Sequence, residues 1–354
     1  MLAHKPVNVA FVLPAPVRVP QGGAAVVFRH AAGLAERGHQ VDVVAPQREA
    51  GMWPRVRHGL VRLRDVWHGV EGEQPFRAAC VRLLEPATLD ATTLDLYDSV
   101  IATGHQTAQP VSAYAPSRGF YFVQGDERAL SPRAEATWAL PLVRFAVSTW
   151  IADLVRSHGH PVVGIVPNAV DHADWRCDRA PGERGAHVVA LYHRHPVKGP
   201  RALVQALRQL RERVPEVSAT VVCARPPSHR LPRWVDIQVR PSQPDLRAVY
   251  NRAAVCLHTS TVEGWGLVPM EAAACGCAIV ATASRGPREY LAPGRSMVEV
   301  AVGDHAALAH HAAQLLRNPE ARSYMATAAI RDVSRFSWDA STDALESILI
   351  EHSA

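Results

Sequence analysis

One stretch, residues 257–290, constrains the fold more than any other: LHTSTVEGWGLVPMEAAACGCAIVATASRGPREY. The apolar run 253–257 that leads into it reads as a buried strand. A loop with Glu263, Gly264 and Gly266 follows, then an Ala-, Met- and Glu-rich helix over about residues 267–275. Gly276 ends that helix, and residues 278–281 form the next strand. A strand, glycine loop, helix and strand in this order build a parallel α/β sheet.

The spacing within the stretch carries chemistry. Glu263 and Glu271 are separated by seven residues. That places Glu263 on a loop at the C-terminal end of a strand and Glu271 about one turn into the helix. Gly264 and Gly266 let a ligand approach the backbone closely. A helix N-terminus offers unpaired N–H groups and partial positive charge, which suits phosphate. Glu271 is then free to accept from ribose hydroxyls, while Glu263 reaches whatever lies beyond the phosphate. A nucleoside diphosphate sugar satisfies this arrangement.

The run EGWGLVPMEAAACGCAIVAT resembles the Glu-x7-Glu signature of retaining GT-B glycosyltransferases of family 4. Two glutamates at that spacing would be unremarkable alone. The surrounding glycines, Pro269 and the Cys-Gly strand make the resemblance specific. It implies a GT-B fold, with two Rossmann-like domains facing across a cleft and a C-terminal helix crossing back to the first. The implied boundaries are 1–170 for an acceptor domain, 171–187 for a linker, 188–335 for a nucleotide-sugar domain and 336–354 for the crossover helix.

With 354 residues, the chain is long enough for two domains. Its excess of basic residues is modest, +5, and a pI near 9.0 fits a polyanionic ligand or an anionic membrane surface without requiring either. Nucleic acid is not an expected partner. The six cysteines form no C-x2-C pair, so buried thiols in a reducing, cytoplasmic compartment are expected. The N-terminus is too short and polar for a signal peptide, and no apolar run approaches the ~20 residues that span a bilayer. Residues 46–73 mix Trp53 and Trp67 with Arg55, Arg57, Arg62 and Arg64. This segment reads either as acceptor-binding or peripheral membrane contact or as an irregular excursion with a solvated basic face. Its poor periodicity favours the latter.

Further stretches extend the resemblance over nearly the whole chain. Residues 7–13, 24–37 and 41–45 form a βαβ unit whose turn holds Gly22 and Gly23 but lacks G-x-G-x-x-G, so a dinucleotide fingerprint is not supported. In the family this glycine turn faces the cleft. Strands at 99–102 and 120–123 end in the polar clusters ATGHQTA and YFVQGDE, where open α/β sheets place ligands. Many relatives end the second of these strands in a histidine beside the sugar. Here Gln124 stands in that position, which passes the role to His105. Asn168 lies in PNAVD, where relatives read Pro-Asn-Gly-Val-Asp. In HRHPVKGPRALVQALRQL, Lys198 and Arg194 stand just before a helix. Relatives carry an Arg and a Lys there that grip the diphosphate, although Arg194 is one residue closer to Lys198 than usual. His193 and His195, alternating with Arg, suit a phosphate-facing loop better than a metal. After the strand at 220–223, Ala224-Arg225-Pro226-Pro227 replaces the usual Gly-x-Gly, so the base is read differently.

The expected function is therefore a retaining transferase that moves a sugar from a UDP-, GDP- or dTDP-linked donor to a hydroxyl acceptor. No cofactor or metal is expected. Lys198, Arg194, Glu263 and His105 take catalytic roles. Glu271, Gly264, Trp265, Gly266, Leu267, Gly22, Gly23, Gln124 and Asn168 bind substrate. The alternatives are a sugar-nucleotide epimerase or hydrolase on the same fold, and an inactive partner subunit, against which the intact Glu263, Glu271 and Lys198 argue.

Overall fold

The computed structural model describes residues 6–16, 22–47 and 81–353. The basic-aromatic segment 46–73 lies almost wholly outside them. The chain divides into two compact units. One holds the described residues up to Asn168 together with those from Trp338 onward; the other is Ala169–Ser337.

Each unit is built on a parallel sheet. The first sheet has seven strands in the order β3-β2-β1-β4-β5-β6-β7: β1 Asn8–Val12, β2 Gln40–Val44, β3 Val81–Leu84, β4 Ser99–Ala102, β5 Gly119–Val123, β6 Val143–Ala146 and β7 Gly164–Ile165. The second has six, β10-β9-β8-β11-β12-β13: β8 His187–Tyr192, β9 Ser218–Cys223, β10 Val235–Val239, β11 Val255–His258, β12 Ala278–Thr282 and β13 Met297–Val300. All described pairings are parallel. Central strands such as FYF in β5 and AIVAT in β12 are buried throughout, as expected of strands covered on both faces.

The helices of the first unit are α1 Gly22–Glu36, α2 Ala91–Leu94, α3 His105–Tyr114, α4 Thr149–Ser157 and, from the far end of the chain, α10 Trp338–His352. Those of the second are α5 Pro200–Arg213, α6 Gln243–Arg252, α7 Leu267–Ala274, α8 His305–Arg317 and α9 Pro319–Val333. The strand order reverses between β1 and β4 in one sheet and between β8 and β11 in the other. In open α/β sheets that switch point, at the carboxyl ends of the strands, is where ligands bind.

Three features depart from the sequence reading. β13, which pairs beside β12, has no counterpart in the sequence reading. His105, Gln106 and Thr107, read only as part of a polar cluster after the strand, open the helix α3, which runs to Tyr114 with Pro110 inside it. Residues 171–187, read as a linker, pack into the second unit, where Trp175 and Arg184 are buried. The Arg184 guanidinium donates to the carbonyls of Tyr250 (3.1 Å), Ala253 (2.8 Å) and Cys275 (2.6 Å). It thereby ties the C-terminal ends of α6 and α7 together and satisfies carbonyls the helices leave open.

Candidate active site

In the second unit, β8 and β11 are adjacent, and the loop after each bends toward the other. The loop after β8 makes a short 3-10 turn, Pro196–Lys198, and then Gly199 takes φ 63° and ψ 41°, which starts α5. A Cβ at Gly199 would lie 2.0 Å from the Thr259 carbonyl oxygen. Only glycine fits there, for both reasons. The contact holds the Lys198 loop against the end of β11, and Thr259 Oγ1 donates to the Lys198 carbonyl at 2.9 Å.

This packing brings Lys198 and Glu263 together across 65 positions of sequence: Nζ lies 2.7 Å from Oε1. Ser260 Oγ donates to the same oxygen at 2.6 Å, and His258 Nε2 stands 3.6 Å from it. Burial alone would push the Glu263 carboxyl up. The Lys198 charge, His258 and the hydrogen bonds from Lys198 and Ser260 outweigh it and hold the carboxyl below its usual value. Burial, aided by the Lys198 charge, lowers His258 to about 4 against the pull of Glu263. His258 is therefore neutral near pH 7, and Lys198 is the cation that keeps Glu263 ionised. His193 is also lowered, first by burial and then by Lys198.

Glu263 itself is anchored from the β12 side. Its amide donates to the Ser284 carbonyl at 2.8 Å, and it forms an isolated bridge with Arg285. Arg285 has φ 73°, an uncommon backbone state for a side-chain-bearing residue, of the kind that gathers at functional sites.

Gly266, at φ 90°, starts α7 with no side-chain cap. The Leu267 and Val268 amides therefore lack an intrahelical acceptor, and Pro269 has no N–H to offer. Trp265 is 3% exposed. Its indole packs against Tyr290 and Phe336, each at 5.3 Å, and donates to Met270 Sδ at 3.2 Å. What Trp265 offers a ligand is backbone, while its ring fixes the loop. One turn into α7, Glu271 accepts from the buried Tyr250 hydroxyl at 3.2 Å. Glu271 retains some exposure, yet burial pushes its carboxyl up to about 8, with the Tyr250 bond acting against the shift. The two glutamates are thus electrically unlike: near pH 7 Glu263 is a carboxylate and ligand-free Glu271 is mostly a neutral acid.

Arg194 does not join the Lys198–Glu263 pair. Its guanidinium donates to the Pro226 carbonyl at 2.7 and 3.2 Å, which ties it to the loop after β9. In that loop Tyr192 OH meets His229 Nδ1 at 2.6 Å and Ser228 Oγ at 3.0 Å.

In the first unit, His105 opens α3 directly after β4. The Glu127 carboxylate accepts the His105 amide at 2.9 and 3.1 Å, lies 3.3 Å from its Nδ1, and accepts from Tyr121 OH at 2.6 Å. Gln124 Nε2 donates to the Thr103 carbonyl at 3.1 Å. A Cβ on Gly23 would sit 3.4 Å from Gln124 Oε1, at van der Waals contact; Gly22 beside it is exposed. Asn168 is buried, and its Oδ1 has no partner among the described residues.

Sequence reasoning did not single out His258, Ser260, Tyr250, Tyr121 or Glu127. The first two lie inside the central stretch, His258 at the end of β11 and Ser260 in the loop between it and Glu263. Glu127 closes the polar cluster after β5. Tyr250 and Tyr121 carry no such signal, because each reads as ordinary core.

Residues 186–318 match the family model described as Glycosyl transferases group 1. The matched residues lie within the second unit. Among sequence relatives, the D-inositol 3-phosphate glycosyltransferase of Corynebacterium efficiens is 35% identical over 182 residues, covering 47% of this chain and 43% of that protein. The same enzyme from Salinispora tropica is 34% identical over 176 residues, covering 44% and 36%. The match spans less than half the length of these relatives. Among solved structures, sucrose-phosphate synthase from Thermosynechococcus elongatus superposes with a TM-score of 0.75 at 16% identity, over 98% of both chains. Anabaena HepE in complex with UDP-glucose gives 0.73 at 16% identity, over 98% of this chain and 100% of that one. At that identity the likeness is one of fold, and the fold is GT-B: two Rossmann-like units, each on a parallel sheet.

Proposed function

We propose that the chain is a retaining glycosyltransferase that moves a sugar from a nucleoside diphosphate sugar to a hydroxyl acceptor. The observation that carries this reading is the meeting of Lys198 and Glu263 at 2.7 Å, at the switch point of the second sheet and beside the uncapped start of α7. A cation and free helix amides at one place suit a diphosphate. Lys198, with Arg194 if a ligand draws it from Pro226, would neutralise the charge that builds on the leaving diphosphate. Preorganised stabilisation of this kind is commonly the largest catalytic term. Glu271 would accept from the ribose hydroxyls. Glu263, held ionised at the same place, would face the sugar and stabilise positive charge at the anomeric carbon. Retention follows the family resemblance: attack on the face the diphosphate leaves, with the departing phosphate taking the acceptor proton. In the first unit, His105, Gln124 and the Gly22–Gly23 turn would bind the acceptor.

UDP-glucose is the first donor to test, because the HepE structure was solved with it. Calorimetry with UDP-, GDP- and dTDP-glucose, chelator present, should find one that binds. Release of free nucleotide should then require an added hydroxyl acceptor. Release without acceptor would point to a hydrolase instead, and failure of all three donors to bind would overturn the reading.

A further inference from the structure

We propose that Glu127 sets the ligand chemistry of the first unit: its carboxylate fills the N-terminal end of α3 and holds the His105 ring with Nε2 as a hydrogen-bond acceptor, so the site takes a neutral hydroxyl and excludes a phosphate. This rests on the transferase reading above, and names the class of acceptor.

The end of a helix that follows a strand at a switch point is where an anion would ordinarily settle. Here the protein has placed its own anion there. The His105 amide points at both Glu127 oxygens, at 2.9 and 3.1 Å. The neighbouring amides of Thr103 and Gly104 go to Thr107 Oγ1, at 3.0 and 3.3 Å. The Thr103, Gly104 and His105 amides are therefore taken. A phosphate arriving at this end would also stand within a few ångströms of a carboxylate, a like-charge contact that disfavours both anions.

The same carboxylate acts on the ring. It accepts from Tyr121 OH at 2.6 Å and from the His105 amide, and it lies 3.3 Å from His105 Nδ1. Burial, and then Glu127, raise the Tyr121 phenol well above its ordinary value, so it stays a donor. Thr137 Oγ1 in turn donates to the Tyr121 oxygen at 3.3 Å, which fixes the phenol. A carboxylate beside Nδ1 fixes the tautomer with the proton on Nδ1, and Nε2 is then an acceptor. Among the described residues no side chain or backbone group is bonded to Nε2, and the His105 side chain keeps 12% of its exposure. An imidazole acceptor suits an O–H donor and offers nothing to a phosphate oxygen. Glu127 is thus a positioning residue and His105 the group that touches ligand.

Histidine-labelled full-length protein, read by long-range nitrogen-proton NMR, tests both halves, with His105→Gln identifying the resonance. The neutral ring of His105 should carry its proton on Nδ1 in the wild type and lose that preference in Glu127→Gln. Titration with inorganic phosphate should leave the wild-type His105 amide unmoved and shift it in Glu127→Gln, where the helix end has lost its charge. Tyr121→Phe, which keeps the carboxylate, should still exclude phosphate. An Nε2-protonated ring in the wild type, or a wild-type His105 amide that phosphate shifts, overturns the proposal. Both decisive readouts are on the wild type, so they stand even if Glu127→Gln fails to fold. Neither needs turnover, so failure of the transferase reading is seen separately, in the donor-binding experiment.

Discussion

At the scale of single residues, the proposed site rests on one lysine and on two glutamates whose carboxyls are shifted in opposite directions. Lys198→Ala should lower turnover by ~10²–10³, the usual effect of losing one charge-stabilising group, while the protein stays folded. Glu263 should feel the loss as well. Its folded pKa is held below the ordinary value mainly by Lys198, so its share of stability is present above that value and fades as pH falls through the folded pKa. In Lys198→Ala burial acts with less opposition and the acid-side loss should begin at higher pH, measurable as melting temperature against pH. Near-wild-type turnover in a folded Lys198→Ala would remove Lys198 from catalysis. Glu271 has the opposite sign. Its carboxyl rises from 4.5 to about 8, so between those values the folded protein binds a proton the unfolded chain has released, and stability falls as pH rises. Glu271→Gln should flatten that slope. Two hydroxyls donating to Glu271 would favour its ionised form, so calorimetry of nucleoside diphosphate below about pH 8 should report proton release that Glu271→Gln abolishes. Diphosphate affinity should also weaken, by ~1–3 kcal/mol for an unsatisfied group. Glu263→Gln should instead lower turnover and leave diphosphate binding largely intact, as for a contact that matters in the transition state. The reverse pattern would exchange the two assignments.

At the scale of elements, what could be read in advance was whatever had strong local pattern. The strand-loop-helix-strand unit around Glu263 was legible because continuous apolar runs, glycines and a helix-forming block stand side by side. The adjacency of the Lys198 and Glu263 loops was not, since it depends on β8 pairing with β11, a long-range event with no local signature. β13 was missed because Met297–Val300 is short and half-exposed on the sheet edge. α3 was missed because its polar residues and Pro110 hide a helix whose start is stabilised by Thr107 and a distant glutamate. Trp265, read as a ligand contact, turned inward because its indole completes an aromatic cluster that includes Phe336, 71 positions away in sequence, a partner no local pattern announces. Gly199 tests the element-level account. Gly199→Ala adds a Cβ at φ 63° and 2.0 Å from a carbonyl oxygen, whereas Gly303→Ala, at φ 85°, meets nothing within 4 Å. Gly303→Ala should cost only the left-handed penalty, about 1–2 kcal/mol. Gly199→Ala should cost clearly more in urea unfolding and weaken diphosphate binding, because the Lys198 loop must move. Equal costs would mean that the Gly199 contact does not hold the loop.

At the scale of the whole molecule, the first unit is assembled from both ends of the chain. α10 comes last in sequence but packs on α1 near the beginning. Arg37 reaches Asp343 at 2.7 Å and Glu346 at 3.2 Å, and His39 meets Glu346 at 3.0 Å. Those pairs are partly exposed and contribute little; apolar burial contributes more. Leu345, Ile348 and Leu349 are at most 7% exposed, and Gly33 on α1 leaves room for Thr342, which a Cβ there would approach to 2.6 Å. His30 is wholly buried between Phe122 and Trp338, and burial, then Arg37, lowers it to about 3, so it serves as a neutral filler beneath α10. Removing α10 would uncover three large apolar side chains' worth of contact, roughly 5–9 kcal/mol at 1.5–3 each, comparable to the entire stability of an ordinary domain. A chain truncated after Ser337 should therefore lose the first unit's cooperative melting while the second unit, whose strands and helices all lie within Ala169–Ser337, still melts as a unit and still binds nucleoside diphosphate. Calorimetric melting of the truncated chain, with and without diphosphate, decides it. An unchanged first transition would mean that α10 is an appendage rather than part of the first unit's core. Loss of diphosphate binding would mean that the second unit cannot hold its ligand without the first.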